Sequence, residues 1–122
     1  MMNLTGTPVA DITTIRNEMF TEAKRAAAEL YSQHGTDNWG ACGFAWTTIR
    51  PEHKGNTKAG KAERKIFEEL GFSKDWTGKT YQLWDPAKYA GQNVDVKEAG
   101  AVAAAAVLKK YGFKAYAGSR LD

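Results

Sequence analysis

A single cysteine in a chain of 122 residues excludes a disulfide framework within the chain. There is no C-x-x-C, H-x-x-x-H or H-E-x-x-H spacing and no dense run of carboxylates, so no dedicated metal site and no cofactor are expected. No apolar run approaches the roughly 18 residues that a membrane span needs, and the first residues lack the basic flank and apolar stretch of a secretion signal. The expectation is a soluble intracellular protein without a membrane partner. Charge of one sign is scarce as well: 17 Lys and Arg against 14 Asp and Glu leave a formal net charge of +3, far from a polycationic tail. What remains is an ordinary globular composition. At this length a folded chain removes about two thirds of its surface from water, enough for one core without staples. Residues 1–122 are read as one domain, with 1–10 as an N-terminal arm holding Gly6 and Pro8.

Three segments carry helical periodicity. From Asp11, a candidate N-cap, Ile12, Ile15, Met19, Ala23, Ala26 and Leu30 fall on one stripe that Gly35 would end. A second helix places Ala59, Ala62, Ile66, Phe67 and Leu70 on its apolar side before Gly71. A third starts near Asn93 or Asp95, where Asp95 and Glu98 have capping-box spacing, and runs through an Ala-dense middle to Tyr111 and Gly112. Its nearly all-apolar surface predicts the most buried helix. Both Gly71 and Gly112 are followed by Phe, the sequence of a Schellman stop.

Trp39 to Arg50, halted by Pro51, is the clearest strand. Alternation sends Cys42, Phe44, Trp46, Thr48 and Arg50 to one face and Gly43, Ala45, Thr47 and Ile49 to the other. The small-residue face lets helices come close, so the helices are expected there. Thr80 to Trp84, stopped by Asp85-Pro86, and Phe113 to Ala117 read as two more strands. The fold expected is therefore α+β: a small three-stranded sheet with three helices mainly packed on one face, in the order α-β-α-β-α-β.

Gly55 to Lys61 has the G-x-x-x-x-G-K spacing of a phosphate-binding loop. Ala62 stands where that motif needs a magnesium-binding hydroxyl, and the strand ends four residues too early, so a basic loop is the better reading. Cys42 with His34 or His53 would be the only nucleophile and base pair, but a cysteine inside an apolar strand more often packs, and no catalytic residue is assigned. Two features remain. Lys58, Lys61 and Lys65 share one side of a helix, with Lys54 before them, a track able to follow phosphates or simply a solvated face. Phe44, Trp46 and Tyr116, with Arg50, Lys114 and Arg120 in register and either Tyr81 or Trp84 beside them, form an aromatic and basic set. Such a face can stack unpaired bases, form a second core layer under the arm, or anchor a homodimer.

Cys42-Gly-Phe-Ala-Trp46, the Leu83-Trp84 strand end, the Ala-rich helix and the terminal Ala115-Tyr-Ala-Gly-Ser-Arg-Leu-Asp122 resemble small proteins encoded by tailed bacteriophages and prophages. The resemblance implies no reaction and transfers no catalytic residue. It implies expression in the cytoplasm of an infected bacterium, where accessory proteins bind nucleic acid, host enzymes or defence complexes. The function expected is a non-enzymatic accessory module that recognises nucleic acid or a nucleic-acid-processing host protein. Its binding residues would be Phe44, Trp46, Arg50, Lys54, Lys58, Lys61, Lys65, Tyr116 and Arg120. The alternatives are an inhibitor acting by protein contact alone, as a homodimer or larger oligomer, and a small enzyme using Cys42 or the Gly55 to Lys61 loop.

Overall fold

The structure, a computed structural model, describes residues 11–34, 41–89, 91 and 93–121. The expected N-terminal arm, the Gly35 stop, the Trp39 end of the first strand and Asp122 lie outside these residues, as does the side chain of His34. In chain order the elements are α1 (Ile12–His34), β1 (Gly43–Arg50), α2 (Lys58–Glu69), β2 (Ser73–Lys74), β3 (Tyr81–Trp84), α3 (Val94–Lys110) and β4 (Lys114–Leu121).

Local chemistry sets the helix ends. Asp11 Oδ1 accepts the Thr14 amide at 2.8 Å, filling one of the amides that the start of α1 leaves unpaired. Thr57 caps α2 through its hydroxyl, which accepts the Gly60 amide. The cap of α3 is Asn93, whose side chain accepts the Val96 amide, and Asp95 falls inside the first turn instead of capping it. Gly71 (φ +101°) and Gly112 (φ +92°) take the left-handed conformation expected of them. The following Phe72 and Phe113 amides return to Phe67 O and Leu108 O, completing both Schellman stops.

Among the described residues the sheet has four strands, not three, in the order β2-β3-β1-β4, with every neighbouring pair antiparallel. The extra strand is Ser73–Lys74, two exposed residues with no apolar alternation. It is held by the turn after it. Asp75 Oδ1 accepts from the Thr77 amide, the Thr77 hydroxyl and the Gly78 amide, while Oδ2 accepts from the Thr80 hydroxyl. After α1, the order β-α-β-β-α-β on this sheet is the split β-α-β connectivity, in which each helix crossover leaves a gap that a strand from the other unit fills.

Register fixes what each face carries. Ala45, Thr47, Ile49, Tyr81 and Ala115 point to the helices and are all buried. Thr47, wholly buried, donates its hydroxyl to Ala101 O at 2.9 Å, and Ala101, Ala104 and Ala105 let α3 lie close on β1 and β4. Alpha-1 packs along α3, sealing Ile15, Met19 and Ala23, and Ala27, not Ala26, closes its stripe. Phe67 from α2 meets Tyr81 and Phe113 with ring centroids 5.3 and 6.2 Å away. Fully burying side chains such as Ile49, Phe67 and Leu108 contributes about 1.5–3 kcal/mol each. The expected burial of α3 is incomplete, since Val102 is exposed on its far side. All three helices lie on one side of the sheet, and among the described residues no helix packs on the other. Among the described residues no helix is long and apolar enough to cross a membrane.

Candidate functional site

The helix-free face is built by alternation on three strands. Phe44, Trp46, Thr48 and Arg50 of β1 stand opposite Arg120, Gly118, Tyr116 and Lys114 of β4, while Trp46 and Thr48 stand opposite Trp84 and Gln82 of β3. Trp84 therefore joins this face and Tyr81 joins the core, which decides between the two residues the sequence left open. The Trp46 and Trp84 rings lie 4.8 Å apart, and Phe44 meets Trp84 edge-on at 6.0 Å. On its other side Trp46 lies flat across Gly118: a Cβ placed there would come within 2.7–2.8 Å of three indole atoms. Gly118 is a seat for a ring.

Cations surround the rings. The Arg120 guanidinium carbon lies 5.4 Å from the Phe44 centroid and 5.9 Å from that of Trp84, and Arg50 lies 6.0 Å from Tyr116, distances at which a guanidinium is drawn to the π face. Lys97, only 8% exposed, donates to Gly43 O at 3.0 Å and places its ammonium 5.3 Å from Phe44. Phe44 and Trp46 are half-buried among these neighbours, while Trp84 and Tyr116 remain 47% and 43% exposed. Thr48 is buried between the flanking side chains despite facing outward. The surface is an aromatic cluster whose rings are tilted against one another, with guanidinium groups along it.

The expected lysine track lies elsewhere. Lys54, Lys58, Lys61 and Lys65 are exposed on the loop and on α2, whose buried residues Glu63 and Phe67 face the core from the helix side. The link between the two groups runs through the end of β1, where Glu52 pairs with Lys114 at 3.5 Å. The nine residues named from the sequence thus form two groups. Phe44, Trp46, Arg50, Tyr116 and Arg120 share the open face, and the four lysines flank the helix layer.

The Gly55 to Lys61 segment does not form an open phosphate cradle. Lys54 O accepts from both the amide and the hydroxyl of Thr57, and Gly60 is small because α2 packs directly on that carbonyl. Glu63, buried to 3%, accepts the Glu52 and His53 amides at 2.9 and 3.1 Å and fastens the preceding turn. The Thr57 hydroxyl already occupies the helix start. Cys42 is exposed, contrary to its expected packing role, because it sits at an isolated bridge to Asn93 just before β1. No described contact joins His53 to it, and the His34 side chain lies outside the described residues.

Asp85 ends β3 with φ +46°, its amide donating to Ala45 O. Its Oδ1 is buried without a hydrogen-bond partner, and burial pushes the carboxyl pKa up despite the opposing pull of Lys97 and Lys88. No group of three or more metal-ligating side chains occurs among the described residues. Sequence reasoning also missed Trp76, 93% exposed on the Asp75 turn, since a tryptophan without periodic neighbours carries no facial signal. Lys97 was equally hidden: a lone lysine in an alanine-rich helix reads as solvated. Set against protein-family models, curated proteins and solved structures, the chain matches none.

Proposed function

We propose that the chain is a non-enzymatic binding module that holds an unpaired nucleic-acid strand on the open face of its sheet. The observation that carries the reading is the Trp46 and Trp84 pair on the helix-free face of the sheet, Trp46 half-buried and Trp84 exposed, flanked by Phe44, Tyr116, Arg50 and Arg120. Four-stranded sheets bind single strands in this manner, splaying two or three bases onto aromatic rings while cations hold the phosphates between them. Tyr116 lies diagonally from Trp46, one strand over and two residues along, a separation of about 7–8 Å between backbones that suits neighbouring bases on separate rings. A duplex keeps its base faces stacked inside and offers such a platform no ring to stack on. Beyond Arg50, the Lys54, Lys58, Lys61 and Lys65 track would extend the electrostatic attraction without reading sequence. The phage resemblance sets this activity in the cytoplasm of a host bacterium.

Titration of intrinsic tryptophan fluorescence with single-stranded DNA, single-stranded RNA and duplex of one sequence tests the proposal. The expected result is quenching by unpaired strands, with affinity falling as salt rises and lost on Trp84→Ala while the melting transition is kept. Absence of any binding at low salt overturns it. Capture of a host protein that survives nuclease treatment, with no oligonucleotide binding, would favour the protein-contact alternative.

A further inference from the structure

Beside Tyr116, at the outer edge of β4, a hollow of ≈ 300 Å³ is lined by Arg50, Lys109, Phe113, Lys114, Ala115 and Tyr116. Three of its six residues are cations, brought from β1, from the last turn of α3 and from β4. Lys114 is shared with the Glu52 carboxylate, whereas Arg50 and Lys109 make no ion pair among the described residues. The balance is two positive charges around one phenol ring. The end of α3 does not cancel them with bare carbonyls: Leu108 O accepts from the Tyr111 and Phe113 amides, and Lys109 O from the Gly112 amide.

From this geometry we infer that the hollow seats a terminal phosphate monoester of the bound strand, with the adjoining base resting on Tyr116. The inference rests on the nucleic-acid reading of the sheet face and specifies which end chemistry that face prefers. An internal phosphodiester carries one negative charge, whereas a terminal monoester carries about −1.5 to −2 at pH 7, with its second pKa about 6. Two positive charges match the monoester. Arg50 can grip two phosphate oxygens at once through its planar fork, and Lys109 adds a compact point charge. The volume is at the lower limit of ordinary ligand pockets, about 300–1,000 Å³, which suits one nucleotide and no duplex end. Neither the aromatic alternation nor the α2 lysines point to this place, because Lys109 meets β4 only through the fold.

The test uses the full chain and three oligonucleotides of one sequence, unphosphorylated, 5′-phosphorylated and 3′-phosphorylated, read by tryptophan fluorescence. At pH 7.5 one phosphorylated form should bind at least 5-fold tighter than the unphosphorylated one, because about 5-fold is the worth of a single unit charge about 4 Å from a cation in a water-like dielectric and the added monoester carries between one and two. That advantage should shrink at pH 5.5, where the monoester has gained its proton. Lys109→Ala, at an exposed position where folding is not at stake, should erase the advantage and leave unphosphorylated binding within about two-fold, its loss being one distant screened charge. Equal binding of the three strands overturns the inference and leaves the sheet reading standing. Equal weakening of all three by Lys109→Ala overturns it too, by reducing Lys109 to general attraction. Failure of every strand to bind removes the sheet reading itself, and this inference with it.

Discussion

Replacing Gly118 by alanine puts a methyl carbon where the Trp46 indole lies, within 2.7–2.8 Å of Cε2, Cζ2 and Nε1. Ordinary carbon contacts need about 3.5–4.0 Å, so the ring must rise by about 1 Å or swing away. Gly118 has no left-handed backbone to protect, and the obstruction is therefore purely that of one side chain against another. Overpacking of this kind costs about 1–3 kcal/mol in a closed core. On an open face the ring can lift, which favours the lower end, about 1 kcal/mol or about 4 °C in Tm for a chain of this size. The larger effect falls on the platform. Each stacked base is worth about 1–3 kcal/mol, so a displaced Trp46 raises Kd for an unpaired strand between about 5- and 150-fold. Thermal melting followed by near-ultraviolet circular dichroism gives the first quantity, because coupled tryptophan rings absorb there, and fluorescence titration gives the second. Unchanged spectra and affinity would mean that Trp46 does not rest on Gly118. A stability loss beyond about 4 kcal/mol would place the indole in the core and refute its role as an accessible platform.

Glu63→Ala should lower stability by about 2 kcal/mol in urea titration, because the buried carboxylate is the acceptor for the Glu52 and His53 amides; no change in midpoint would show that water replaces it freely. For Asp85 the folded pKa lies above the unfolded one, so its favourable contribution is complete below the unfolded value and is lost as pH rises through the folded value. Asp85→Asn should accordingly be more stable than the parent at pH 7 and show little gain at pH 3, and an equal gain at both would refute a buried carboxylate as the cause. Asp75 has the opposite sign: hydrogen bonds from Thr77 and then Thr80 hold its pKa at about 2, so its contribution is present above the unfolded value of 3.8 and lost as pH falls through about 2. Hydrogen exchange of the Gly78 amide should stay slow at pH 4 and accelerate in Asp75→Asn.

Much of this architecture is legible in local residue order, for reasons specific to each element. The β1 alternation separates Ala45, Thr47 and Ile49 from Phe44, Trp46 and Arg50, and the folded sheet keeps that division because pleating alone sets it. Both Gly-Phe helix stops form as their local geometry dictates. Beta-2 was invisible because neither Ser73 nor Lys74 is buried, and a strand that exposes both residues leaves no period to read. Its existence depends on Asp75 collecting the donors of the next turn. The choice between Asn93 and Asp95 as the α3 cap could not be made locally, since both have the required side-chain oxygen. Residue 93 is selected by the bridge from Cys42 and by the Val94 amide donating to Ala41 O. At the site, the open-face set follows from strand register, whereas separation of the α2 lysines from the rings and the meeting of Lys109 with Lys114 require the tertiary arrangement.

The most direct measurement of the central claim is an NMR titration of the indole N–H signals with a short unpaired oligonucleotide. Stacked bases shift nearby protons through their ring currents, so the Trp46 and Trp84 signals should move strongly and together, with Trp76 changing less. Indole signals that stay fixed at saturating strand, or shifts confined to α1 and the outer side of α3, would contradict the account.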